Sequence, residues 1–145
     1  MFKNYKILLL TILISFLLGF LYYYFLRDSV VGLSWLGVEK VVTLDFQFNS
    51  YFLWFPTFIH PFLFSLLSWW AMDFNYPKTS VLFWMIINLI AEIGQGVENS
   101  FFDGFPSILK HYFQYGVFDW LDMISIIFGA VFAYGFILKF KRELV

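Results

Sequence analysis

The chain has 145 residues, of which 61% are hydrophobic and only 13% charged, with a mean hydropathy of +0.78. That is too little polar surface to cover a water-soluble globule of this size, so the composition points to a bilayer as solvent. A net charge of −1, with no basic run beside an aromatic platform, argues against a nucleic-acid partner, and the absence of cysteine excludes disulfides, thiolate metal sites and a catalytic thiol.

A spanning helix takes about 20 mainly apolar residues, and the sequence offers four such segments in one domain covering 1–145. The first, at about 7–26, follows Lys3 and Lys6 and ends on Tyr22, Tyr23 and Tyr24, which suit the headgroup level. Its near-full length and the lack of a small-x-small site before Arg27 favour an uncleaved anchor over a signal peptide. In the loop that follows, Leu44, Phe46 and Phe48 alternate with Asp45 and Gln47, the period of a short half-buried strand. The second segment, about 52–72, is flanked by Tyr51 and Trp54 at one end and by Trp69 and Trp70 at the other, an aromatic belt at both.

A tight turn from Asp73 to Lys78 leads to the third segment, about 79–99. Beyond it, Pro106 and Ser107 mark a helix start, Ile108, Leu109, Tyr112 and Phe113 recur at helical spacing, and Gly116 marks the stop of a short interfacial helix. The fourth segment, about 119–138, runs into Lys139, Lys141 and Arg142. The expected fold is all-α, a four-helix transmembrane bundle. Lys3, Lys6, Lys78, Lys139, Lys141 and Arg142 then fall on one side, against Arg27, Lys40 and Lys110 on the other. This asymmetry puts both termini in the cytoplasm. Asp28, Glu39, Asp45, Glu98, Asp103, Asp119 and Asp122 fall on the outer side, with Glu92 deeper, so the outer face is acidic. Asp28, Glu39, Asp45 and Asp103 read as solvated loop charges.

Asn88, Glu92, Gln95 and Asn99 recur at steps of four, three and four, which puts them on one helix face. At about 1.5 Å per residue, Glu92 lies about 20 Å from the cytoplasmic end. A carboxylate at that depth needs partners or a proton, because an isolated charge costs several kcal/mol. The fourth segment starts with Asp119 and Asp122, one turn apart, and continues to Ser125, Gly129 and Ala133 in small-x-x-x-small spacing. Gly129 and Ala133 read as packing positions and Asp119 as an N-cap, whereas capping explains Asp122 less well and a functional or paired role is favoured.

His60 stands beside Pro61, which removes an N–H and clashes with the Thr57 carbonyl, so a helix break lining a site is expected there. His111 reads as a solvated interfacial residue. The oxygen-rich set would suit Mg²⁺ or Ca²⁺ better than Zn²⁺, but no spacing requires a metal and no cofactor is expected. No nucleophile motif, glycine-rich phosphate loop or HExxH pattern is present. Whether the chain is an enzyme stays open.

Glu92-Ile-Gly-Gln95, then Asp119-Trp-Leu-Asp122, then Gly129, resembles the core of the VanZ-like family of bacterial membrane proteins, in which an E-x-x-Q helix precedes a helix bearing D and, seven residues on, G. His60 matches a histidine often found in the preceding span of that family. The resemblance covers about residues 55–134. It departs in two places: Tyr115-Gly-Val-Phe118 lacks an arginine frequent before the aspartate helix, and Ile126 replaces an asparagine. A phosphate-binding role thereby loses its natural cation. The resemblance implies a multi-pass protein of the bacterial cytoplasmic membrane with a role in cell-envelope homeostasis or glycopeptide resistance.

The leading expectation is that His60, Asn88, Glu92, Gln95, Asp119 and Asp122 form an outward-facing pocket for an envelope lipid or lipid-linked precursor. Two other readings stand beside it. One is a noncatalytic assembly protein that docks another membrane protein. The other is a proton-coupled carrier, which four short spans without an inverted repeat do not favour.

Overall fold

The computed structural model describes residues 2–26 and 54–142, and every regular element within them is helical. Five α-helices follow in chain order: α1 (Phe2–Leu26), α2 (Phe55–Ala71), α3 (Pro77–Gln95), α4 (Ser107–Tyr115) and α5 (Trp120–Arg142), with a 3₁₀ turn at Asn99–Phe102 between α3 and α4. The expected strand-like stretch at 44–48 and the charges of Arg27, Asp28, Glu39, Lys40 and Asp45 lie outside the described residues.

α2 is the central helix. It packs against α1, α3 and α5, and α3 and α5 also pack against each other. Its burial follows from its sequence: Ile59, Pro61, Leu63, Ser65, Leu66 and Trp69 are all buried, too many directions for one contact face. α1 is peripheral and buries a single stripe of Leu8, Ile12, Ser15, Gly19 and Tyr22, at alternating steps of four and three. The remaining surface of α1, including Leu10, Leu13, Phe16 and Leu17, stays exposed, as do Leu82, Phe83 and Ile90 on α3 and Phe128, Val131 and Phe132 on α5. Contiguous exposed apolar surface of this kind marks contact with lipid or protein.

Two helices, over Tyr5–Phe25 and Trp120–Lys141, are long and apolar enough to cross a membrane. α2 has 17 residues, about 25 Å at the helical rise and short of the roughly 30 Å of hydrocarbon. α3 has 19 residues but carries Lys78, Asn88, Glu92 and Gln95.

The helix ends are charge-sorted. Tyr5 of α1 meets Trp70 and the Phe74 ring, and Trp69 meets Phe140 of α5, so the start of α1, the α2–α3 turn and the end of α5 share one end with Lys6, Lys78, Lys139 and Lys141. Trp69 is therefore core, wedged between Phe74 and Phe140, and belongs to no aromatic belt. Tyr22 likewise turns inward, onto Phe55. At the opposite end lie Glu92, Glu98, Asp103, Asp119 and Asp122, with Lys110 bonded to Asp103 at 2.6 Å.

Two boundary expectations are corrected. α3 stops at Gln95, with Gly96 as its cap and its N–H turned back to the Ile93 carbonyl, so Asn99 falls in the 3₁₀ turn and leaves the helical stripe of Asn88, Glu92 and Gln95. α2 does not break at Pro61 but runs through it as one helix. A proline inside a helix forfeits one backbone bond, and here its ring is covered by close packing of α5 at Gly129.

Candidate acidic site

Glu92 is held by α3, and its position follows from the stripe spacing, which turns the side chain toward the start of α5. It is 4% exposed, and its Oε1 accepts the backbone N–H of Asp119 at 2.8 Å. The E-x-x-Q helix and the aspartate helix are thus joined by a direct hydrogen bond. Asp119 itself caps α5: its Oδ1 accepts the Leu121 N–H at 2.9 Å, and its carbonyl accepts the N–H of Asp122 at 3.1 Å. A carboxylate at this point satisfies an orphan donor and complements the positive end of the helix dipole. Asp119 thereby does both things, capping with its side chain and binding Glu92 with its backbone.

Asp122, inside the first turn of α5, accepts the Thr57 hydroxyl of α2 on Oδ1 at 2.9 Å. The same hydroxyl lies 2.7 Å from the Trp54 carbonyl, so its one hydrogen serves one of two acceptors at a time. The sequence drew attention to Thr57 only for its backbone carbonyl beside Pro61, not for its hydroxyl. The available signal was its place three residues before His60, which puts both on adjoining positions of α2 near the same end. Asp122 and Asp119 both lie within electrostatic range of Glu92. Even so, among the described residues no three acid or histidine side chains stand close enough to hold one metal ion.

The other expected site residues are held as follows. His60 stacks on Tyr23 of α1 with ring planes 13° apart, and its Nε2 is 3.3 Å from the Tyr23 hydroxyl. Tyr23 is therefore a tie between α1 and α2. Gln95 donates through Nε2 to the Tyr112 hydroxyl of α4 at 3.2 Å, which ties the end of α3 to the short helix. Asn88 donates to the Trp84 carbonyl of its own helix at 2.7 Å. The His111 side chain lies outside the described residues.

Close packing fixes α5 against α2. A methyl group at Gly129 would collide with the Phe58 carbonyl oxygen and stand 3.0 Å from Pro61 Cγ. Ser125, Ala130 and Ala133 are buried along the same helix. The small-residue spacing is thus packing, as expected, and it sets the distance at which Thr57 meets Asp122. No family model, curated protein or solved structure matches this chain.

Proposed function

We propose that this chain is a VanZ-like protein that crosses the bacterial cytoplasmic membrane four times, with both termini cytoplasmic, and that its acidic end recognises an envelope lipid or lipid-linked precursor. The observation that carries the proposal is the hydrogen bond from the Asp119 N–H to Glu92, which unites the two motif helices at the end opposite Lys6, Lys78, Lys139 and Lys141. The Thr57–Asp122 bond draws the third helix to the same region.

The exposed apolar flanks of α1, α3 and α5 support the bilayer reading, since they have no protein cover among the described residues and the two longest helices are long enough to cross. α2 and α3 would complete the four spans, with the polar residues of α3 shielded by the bundle and α2 reaching the interfaces with the residues that flank it. In that reading the carboxyls lie at the outer membrane–water boundary. They are acceptor-rich, so they suit a headgroup that offers hydrogen-bond donors. His60 and Gln95, held by Tyr23 and Tyr112, would line the approach.

The test is lipid retention. Glu92→Gln and Asp122→Asn proteins, purified in mild detergent, are expected to insert and fold normally but to lose co-purifying envelope lipid by native mass spectrometry. Full retention in the double variant would overturn the pocket.

A further inference from the structure

Between α3 and α5 the chain makes a detour over residues 96–119, and this detour sits directly on the end of α3 that carries Glu92. Three contacts seat it. The Phe113 ring of α4 lies against Gly94, where a β-carbon would overlap it, and stacks on Phe102 with ring centroids 4.5 Å apart. The Gln95 side chain fills the space at Gly116, where any β-carbon would collide with it, and Gln95 donates to Tyr112. Gly116 has extended backbone at φ −74° and ψ 154°, so glycine is there for the close approach rather than for its backbone angles. Phe118 packs on Gly96, and at Asp119 the detour ends in the N–H that binds Glu92.

This attachment is light beside the rest of the bundle. α4 packs chiefly on the end of α3 and on the neighbouring 3₁₀ turn, whereas α2, α3 and α5 pack on one another along their lengths. Segments with few buried apolar contacts open at lower free energy than the core to which they are attached. We infer that residues 96–119 form a cover whose seating at Gly94 and Gly116 controls access to the Glu92 carboxyl. The cover regulates the site proposed above and rests on that assignment of the site. With the cover seated, Glu92 is 4% exposed and bonded to the backbone. Lifting it withdraws the Asp119 N–H and leaves Oε1 to accept a donor from an incoming ligand.

The chain contains no cysteine, so an engineered pair is free of competing thiols. A β-carbon at Gly116 would sit against Gln95 Cγ, which puts the two β-carbons no more than about 4 Å apart, inside the reach of a disulfide, so Gln95→Cys with Gly116→Cys is expected to lock the cover. Both redox forms of this full-length variant, in liposomes, are treated with a water-soluble carbodiimide and glycine methyl ester, and modification of Glu92 is followed by peptide mass spectrometry. Glu98, exposed at the same end, is the internal reference. Blocking the opening is expected to slow Glu92 modification roughly tenfold or more in the oxidised form, with recovery on reduction. Gly94→Ala, which pushes Phe113 off its seat, is expected to speed Glu92 modification relative to the native chain, again with Glu98 unchanged. Failure of the pair to cross-link, equal Glu92 rates in the two redox forms, or no acceleration in Gly94→Ala overturns the cover. Lipid binding is not read in this experiment, so the cover can fail while lipid recognition stands, and the reverse.

Discussion

Gly129 shows what one missing β-carbon does. The Phe58 carbonyl and Pro61 occupy the space a side chain would need, and a backbone carbonyl cannot rotate away as a side-chain tip can. Gly129→Ala must therefore push α5 from α2, and overpacking of this kind costs about 1–3 kcal/mol. Gly135, six residues on in the same helix, has nothing within 4 Å of the point where a methyl group would stand. Gly135→Ala should gain up to about 1 kcal/mol from helix propensity. Thermal unfolding of the two variants in detergent should thus move in opposite directions. Equal shifts would mean that the Phe58–Gly129 approach is not what holds the helices. Gly129 was legible as a packing residue because small-x-x-x-small spacing reports close approach. Thr57 was not, since a threonine beside a proline reads as ordinary first-turn chemistry until its partner across the bundle is known.

At the scale of elements, α2 and α3 are sewn together by hydroxyls as well as by apolar contact. Ser80 donates to the Ser65 carbonyl at 2.7 Å, Trp84 donates to the Ser68 hydroxyl at 3.1 Å, and the Ser68 and Ser80 hydroxyls meet. Ser80 is 2% exposed, so its removal leaves the Ser65 carbonyl without that donor. Side-chain hydrogen bonds between helices in apolar surroundings are worth about 0.6–1.7 kcal/mol. Ser80→Ala is expected to lower stability by about that amount, measured by denaturant titration, and Ser80→Thr to recover part of it. The helices themselves were readable in the sequence, α4 nearly to the residue, because Pro106, Ser107 and Gly116 punctuate it. Their ends were less so. Gly96 stops α3 four residues before the expected limit, as a polar stripe carries no mark of where its helix ends. Pro61 suggested a break that close packing against α5 makes unnecessary.

For the whole molecule, the sorting of charge is the feature that the sequence and the fold share. Lysines gather where the start of α1 meets the end of α5, and carboxyls where α3 meets the start of α5. The proposed orientation predicts that a cysteine replacing Asp103 is labelled by an impermeant maleimide in intact spheroplasts, and that one replacing Lys141 is labelled only after lysis. The reverse pattern would invert the bundle and place the acidic end in the cytoplasm. The helical architecture of the described residues was legible because long apolar segments and the residues that punctuate them are both written along the chain. The pairing of His60 with Tyr23 was not, because periodicity says which face a residue occupies and nothing of which helix it faces.

The turn between α2 and α3 has a consequence for how such a chain is made. Asp73, Phe74 and Tyr76 adopt φ of 50°, 63° and 52°, the left-handed region that side chains seldom enter, and the Phe74 N–H returns to the Trp69 carbonyl. This reverses the chain within a few residues. α2 is short and α3 polar, so neither is a strong signal for entering lipid alone. Joined by the turn, they bring Ser65, Ser68, Ser80 and Trp84 to one another, and the proposed four-span topology predicts that biogenesis takes the two in together as a single hairpin.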